Sequence, residues 1–217
     1  MTETTPSWEH ANDETAPGLV IDYDASVWCE VPPMWVEEDW AELGTWSLRF
    51  SELCWEHEDP APGDVEAYAD QLRGAGEIAQ AHAPGARALL YTPHPRARGP
   101  LTVLVDVLPA EDMEPAAALR LLTLADDDDA VRAPVVDAFP SPDLGDGLRV
   151  SRAIPGDEDG LFFQLRYAWY YEEYDAYVLM VTITHDLELL ISAIPEIEYL
   201  AMSTRFLEPG EAEVMDE

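Results

Sequence analysis

The stretch GLRVSRAIPGDEDGLFFQLRYAWYYEEYDAYVLMVTITH, residues 147–185, decides the fold of this chain. It contains three runs rich in β-branched and aromatic residues, which favour strands. Turn-forming residues separate the runs, with Pro155-Gly156-Asp157 after the first and Glu172-Glu173 after the second. Because connections this short join antiparallel strands, the pattern predicts an antiparallel meander. The predicted strands are 147–154, 161–171 and 174–185.

The segment after this meander closes the chain. The short apolar run Glu188–Ala193 follows the turn residues His185-Asp186 and predicts a fourth strand. Pro195 predicts the start of a closing helix that continues to Leu207, because proline is favoured in the first turn of a helix.

Upstream of the meander, apolar spacing and breaker residues predict three helices and a hairpin. The expected elements are a strand at 26–31, helices at 37–58 and 65–82, a hairpin of strands 86–91 and 101–108, a helix at 115–125 and an edge strand at 131–139. This order predicts an α+β fold, an antiparallel sheet with helices packed on it. We expect one domain over 19–208, between acidic tails at 1–18 and 209–217.

The sequence YDAYVLMVTITHDLELLISAIPEIEYLAMSTRFLE, residues 174–208, resembles the closing β–β–α unit of the Mog1/PsbP-like fold. In that fold two long strands precede a last helix, and Ser203–Phe206 stand where the helix ends. Val31-Pro32-Pro33-Met34-Trp35 resembles the exit from the first strand of the same fold. The resemblance implies an adaptor, assembly factor or partner-binding module rather than a catalyst, and it carries over no functional residue.

The chain is strongly acidic. It contains 45 Asp and Glu residues but 11 Lys and Arg residues, which gives a formal net charge of −34. All the Lys and Arg positions are arginine. The lack of lysine excludes a P-loop lysine and Schiff-base chemistry, and the acidity disfavours nucleic acid as a partner. Three explanations remain open: a GC-rich coding background, a salt-rich environment, and a basic partner.

Membrane and secretion patterns are missing from the sequence. The first 18 residues are polar and acidic, without the cationic start and apolar stretch of a secretory signal. No uncharged apolar run approaches the roughly 18 residues of a membrane-spanning helix. Two cysteines, Cys29 and Cys54, do not make a disulfide framework. We therefore expect a cytoplasmic protein with no membrane partner.

Motifs for catalysis or cofactor binding are weak. No histidine pair has metal-ligand spacing, and Asp126–Asp129 lacks the glycine of a calcium loop. Gly74-Ala75-Gly76-Glu77-Ile78-Ala79 matches a dinucleotide motif but lies inside a predicted helix, where small residues favour close packing. No serine has the glycine spacing of a nucleophile elbow. We expect no enzyme, no catalytic residue, no metal and no cofactor.

Aromatic residues crowd the turn between the second and third predicted strands of the meander. Strand alternation places Tyr167, Trp169 and Tyr171 on one face and Tyr170 on the other. One face can belong to the core, whereas the other can present aromatic rings beside carboxylates, a combination that suits an Arg- or Lys-rich partner. The alternative is a core hairpin with a solvated tyrosine face. The candidate partner-binding residues are Trp169, Tyr170, Tyr171, Glu172, Glu173 and Tyr174.

The only local basic patch is His94-Pro95-Arg96-Ala97-Arg98-Gly99, in the predicted hairpin loop. Arg96 and Arg98 could hold an anion or contact another copy of the chain. Pro95 and Gly99 favour the alternative, a solvated turn in which these two residues have a structural role.

These observations favour a non-enzymatic, acidic protein-interaction module whose protein partner is basic. Adaptor, chaperone-like and toxin-neutralising roles share this physical basis. The second hypothesis is a small-molecule-binding protein with a tryptophan-lined cleft between sheet and helices. The sequence leaves the oligomeric state open.

Overall fold

The computed structural model describes residues 18–32, 42–82, 85–94, 99–110, 113–156 and 160–207. Within these ranges the chain forms helices and strands in an α+β arrangement, as predicted. The helices are α1 (Leu43–Cys54), α2 (Asp64–His82), α3 (Pro115–Thr123) and α4 (Leu187–Ser203). The strands are β1 (Leu19–Ile21), β2 (Trp28–Val31), β3 (Arg87–Tyr91), β4 (Leu101–Pro109), β5 (Val135–Ala138), β6 (Gly147–Pro155), β7 (Leu161–Tyr171), β8 (Ala176–Thr184) and β9 (Thr204–Phe206).

Seven strands form one antiparallel sheet in the order β2-β3-β4-β8-β7-β6-β5. The predicted hairpin is β3–β4 and the predicted meander is β6–β7–β8, so both are confirmed. The sheet joins these two parts where β4 pairs with β8, from Val103↔Thr182 to Pro109↔Ala176. The turn between β7 and β8 therefore lies at the end of the central strands.

Helices cover both faces of this sheet. On one face, α4 packs its buried residues onto the largest core cluster, which includes Leu89 and Trp169. On the opposite face, α1 and α2 cover the β2–β3 end, including Leu90, while α3 covers Ala168 and Tyr177. Adjacent residues such as Leu89 and Leu90 lie under different helices because side chains alternate across a strand.

The predicted strand at 188–193 is wrong, because these residues form the first turns of α4. Asp186 caps this helix by accepting a hydrogen bond from the Leu189 backbone N–H at 2.9 Å. The buried residues then recur with helical spacing, and Pro195 lies inside the helix rather than at its start. The buried positions of α4 are Leu189, Leu190, Ala193, Ile197, Leu200 and Ala201.

Two short strands were not predicted. β1 pairs antiparallel with β9, from Leu19↔Phe206 to Ile21↔Thr204, and residues 204–206 are therefore not the end of a helix. The Leu207 backbone N–H also donates to the Gly18 carbonyl at 2.8 Å. Arg87 fixes this pair to the main sheet, since it donates to both Glu30 carboxylate oxygens and to the Leu19 carbonyl.

The first helix is shorter than the predicted 37–58, because α1 ends at Cys54 and a turn follows. Residues 33–41 lie outside the described ranges, as do all but Gly18 of the predicted tail at 1–18 and the whole of the predicted tail at 209–217. The predicted edge strand at 131–139 contracts to Val135–Ala138, directly after Pro134. Proline cannot donate a hydrogen bond to a sheet, which explains the start of β5.

Candidate functional site

The connection between β7 and β8 is a single 3-10 turn, Glu172–Tyr174, followed by Asp175 in the left-handed region at φ 47°. Aspartate tolerates this conformation better than most residues. The Ala110 backbone N–H donates to the Asp175 carbonyl at 2.9 Å, which attaches the turn to the end of β4. We call residues 170–175 the acidic aromatic turn.

Two tyrosine rings of this turn pack against each other and against a phenylalanine of β9. Tyr171 and Tyr174 have ring centroids 5.4 Å apart, and both contact Phe206 of β9, at 4.8 Å and 5.1 Å. Tilted and edge-to-face pairs at these distances are favourable beyond their buried area. The turn is therefore held by side-chain packing as well as by backbone hydrogen bonds.

Tyrosine hydroxyls orient some of the carboxylates. Tyr170 donates to Asp175 Oδ1 at 2.8 Å, and Tyr171 donates to Glu173 Oε2 at 2.9 Å. The hydrogen bond to Asp175 raises the pKa of the Tyr170 hydroxyl above its ordinary value. The Tyr170 phenol therefore stays neutral beside the Asp175 carboxylate.

The negative charge of the turn is uncompensated within the described residues. Glu172 and Glu173 are both exposed, and no arginine in the described ranges forms an ion pair with either carboxylate. The 3-10 turn itself contains no basic residue. Two adjacent carboxylates on an ordered turn attract a cationic group.

Trp169 does not belong to this surface, although the sequence placed it there. Its side chain is fully buried, stacked on Tyr167 at a centroid distance of 5.9 Å. Its indole N–H donates to the Phe139 carbonyl at 2.9 Å. The face of β7 that carries Trp169 lies under α4, so its ring cannot contact a partner. Tyr170, Tyr171 and Tyr174 are half-buried, so each side chain keeps some exposed surface.

The second predicted site, Arg96 and Arg98, lies outside the described residues. The neighbouring His94 is described, and its Nε2 lies 3.2 Å from Glu58 Oε1. The proposed anion or self-contact therefore stays a prediction.

The tryptophans that the structure describes are packed in the interior. Trp28 and Trp169 belong to the core beneath α4. Trp46 of α1 belongs to the core cluster that α1 and α2 form with the sheet, and Trp55 is also buried. A cleft lined by exposed tryptophans does not occur among these four. The small-molecule hypothesis thus receives no support from them.

Other chemistry-bearing residues have structural surroundings. Burial raises the pKa of the Cys54 thiol to about 11 and raises that of Cys29 further, which disfavours a nucleophilic thiolate at either position. A carbon added to Gly76 would lie 2.6 Å from Leu43 Cδ1, so the glycine allows close packing of α1 on α2 as predicted. Over the described ranges, no group of three or more His, Cys, Asp and Glu residues is placed to hold a metal ion.

Across the same parts of the chain, every helix is too short or too polar to cross a membrane.

Comparison with known proteins gives a likeness of fold. No family model matches the chain, and no curated protein matches its sequence. Among solved structures, it is similar to the crystal structure of LpqN, which is described as involved in cell envelope biogenesis of Mycobacterium tuberculosis. The TM-score is 0.52 at 9% sequence identity, over 91% of this chain and 87% of LpqN. This likeness supports the α+β fold, whereas the Mog1/PsbP-like assignment stays a prediction.

Proposed function

We propose that this protein is a non-enzymatic interaction module that binds a basic protein through the acidic aromatic turn. The observation that supports this most is the exposure of Glu172 and Glu173, uncompensated by any described arginine, on a turn that Tyr171, Tyr174 and Phe206 hold in place. A cation from a partner would supply the missing counter-charge.

The rigidity of the turn matters for affinity. Ordering a flexible loop on binding costs free energy, and a turn already fixed by ring packing avoids much of that cost. The partly exposed rings of Tyr170 and Tyr174 add a place for a guanidinium to pack, which suits arginine better than lysine. The negative field of the whole chain would also accelerate the approach of a basic partner.

The proposal does not depend on the compartment. The sequence favours the cytoplasm, whereas LpqN is described as involved in cell envelope biogenesis. A basic protein surface can be met in either setting.

A peptide of nine arginines, labelled with a fluorophore, tests the proposal by fluorescence anisotropy at about 0.15 M salt. The double variant Glu172→Gln, Glu173→Gln should weaken binding about fivefold, the factor expected for two exposed ion pairs of roughly 0.5 kcal/mol each. The control Asp128→Asn, Asp129→Asn removes the same charge from another exposed loop. It should change the dissociation constant less than about twofold.

Equal weakening by the two double variants would show that the peptide senses only the total charge, and would refute the turn as the binding site. Unchanged binding in both double variants would also refute the turn as the binding site. Circular dichroism of both variants checks that the fold is retained.

A further inference from the structure

The outward face of α4 carries a row of large apolar side chains. Leu187, Ile191, Tyr199 and Met202 are between 40% and 57% exposed, and Pro195 is exposed among them. Single exposed apolar residues are normal in folded proteins, but a contiguous set marks an interaction surface. We call these five residues the α4 stripe.

The spacing shows that the α4 stripe is one continuous surface. Its members recur every three or four residues, so they lie on one side of the helix. The buried residues of α4, such as Ala193, Ile197 and Leu200, occupy the opposite side and face the sheet. At 1.5 Å per residue the stripe extends for about 22 Å, or about four helical turns.

Pro195 adds a polar feature to the middle of the stripe. Proline has no backbone N–H and therefore cannot donate to the carbonyl of Ile191, four residues earlier. The Ile191 side chain is 57% exposed. Its carbonyl oxygen has lost its usual helical donor, and a cationic side chain of a partner could donate to it.

Charge at the border of the stripe restricts the partner. α4 contains three glutamates, Glu188, Glu196 and Glu198, and no basic residue. Glu198 pairs with Arg149 at 2.6 Å, whereas Glu196 has no ion pair among the described residues. A second copy of the chain would bring its own Glu196 to the same border, and each copy has a net charge of −34. The border therefore fits a partner with cations around an apolar centre.

We propose that the α4 stripe docks an amphipathic helix of a partner protein, with an apolar face against Ile191 and Tyr199 and with Lys or Arg at its borders. Helix-in-groove and helix-on-helix recognition uses apolar anchors at this same three-to-four spacing. This surface is separate from the acidic aromatic turn, and the inference stands whether or not the turn binds arginine.

The test uses a fluorescein-labelled 18-residue peptide of Leu and Lys arranged as an amphipathic helix. A scrambled peptide of the same composition and a Leu/Glu peptide of the same pattern serve as ligand controls. The double variant Ile191→Ser, Tyr199→Ser removes two exposed anchors, so the fold should be retained. The control variant Ile78→Ser, Leu121→Ser removes side chains that are 59% and 60% exposed on α2 and α3.

We expect the amphipathic Leu/Lys peptide to bind the natural chain and to bind the α4 double variant at least about tenfold more weakly. The α2–α3 control should stay within about twofold of the natural chain. Amide hydrogen exchange should slow within residues 187–203 when the peptide is bound.

Three results would overturn the proposal: no binding of the Leu/Lys peptide, equal binding of the scrambled or Leu/Glu peptide, or an equal loss in both double variants. Vesicles of phosphatidylcholine test the lipid alternative. Vesicle binding that Ile191→Ser, Tyr199→Ser abolishes, without peptide binding, would assign the stripe to a lipid surface instead.

Discussion

Gly147 shows how one small residue allows a large ring to enter the core. In the β6–β7 pair it lies directly opposite Trp169. A carbon added to Gly147 would lie 2.3 Å from Trp169 Cδ1 and 2.7 Å from the Ala168 carbonyl oxygen. The second neighbour is backbone and cannot move aside easily. The glycine therefore creates the space that the indole fills.

Gly147→Ala should lower the free energy of unfolding by about 1–3 kcal/mol, because it overpacks a filled site. Urea denaturation followed by circular dichroism measures the change. Gly74→Ala is the matched control, since nothing lies within 4 Å of a carbon added there and the site is inside α2. It should stabilise the protein by up to about 1 kcal/mol. A Gly147→Ala variant as stable as the natural chain would contradict the tight contact.

Asp106 is a partly buried carboxylate on β4 that accepts a hydrogen bond from the Val107 backbone N–H at 2.9 Å. Burial raises its pKa above the ordinary value. The folded state therefore binds a proton more readily than the unfolded state. Stability contributed by this residue falls as pH rises from the unfolded pKa of about 3.9 through the raised folded pKa.

Asp106→Asn should stabilise the protein at pH 7 and lose that advantage below about pH 4, where the natural aspartate is also neutral. Urea denaturation at several pH values provides the measurement. Asp129→Asn removes one exposed negative charge and should give a smaller gain. If the two variants gained equally at pH 7, relief of overall repulsion rather than desolvation would explain the effect.

Helix α4 is the element that the sequence described least well. The apolar run 188–193 has both the composition of a short strand and the spacing of a helix, and periodicity over six residues cannot separate them. The correct choice depends on the cap at Asp186 and on Ile197 and Leu200, which continue the buried face past Pro195. The sequence predicted that the helix starts at Pro195, whereas Pro195 lies inside it. Because residues 187–194 were not assigned to the helix, the α4 stripe could not be predicted.

Asp186→Ala should destabilise the protein by about 1 kcal/mol, because the Leu189 backbone N–H loses its acceptor. Asp186→Ser should recover most of the loss, since serine can cap in the same way. Thermal unfolding of the three proteins compares them. A loss shared equally by alanine and serine would show that the carboxylate acts through some contact other than the cap.

The acidic aromatic turn was predictable in part. Turn residues and strand alternation located Glu172 and Glu173 and separated Tyr170 from Trp169. Both faces of β7 carry aromatic residues, however, so local sequence could not tell which face α4 would cover. The β1–β9 pair was hidden for a different reason: each strand has three residues, and the partners are more than 180 positions apart.

At the scale of the whole molecule, the few arginines mostly pair with carboxylates of the same chain. Most of the described arginines form ion pairs with carboxylates of the same chain, which leaves little positive surface to offset the net charge of −34. Self-repulsion of this size opposes the compact state, and dissolved salt screens it.

Raising sodium chloride from about 0.02 M to about 0.5 M should therefore raise the melting temperature, by about 2–4 °C for each kcal/mol recovered. Differential scanning calorimetry measures the shift. Sucrose at equal osmolarity is the control for exclusion of solute from the protein surface. A melting temperature that salt leaves unchanged or lowers would show that repulsion is not a major term.

The pairing of β1 with β9 places Gly18 and Leu207 side by side at the same end of a two-stranded ladder. A force that separates these two residues would load the ladder one rung at a time, from Leu19↔Phe206 towards Ile21↔Thr204. The seven-stranded sheet would stay intact, because, among the hydrogen bonds of the described residues, only the one from Arg87 of β3 to the Leu19 carbonyl connects it to the load before the pair has opened. Tension between Gly18 and Leu207 would thus separate β1 from β9 first. The load would then reach α4 before it reached the central strands of the sheet.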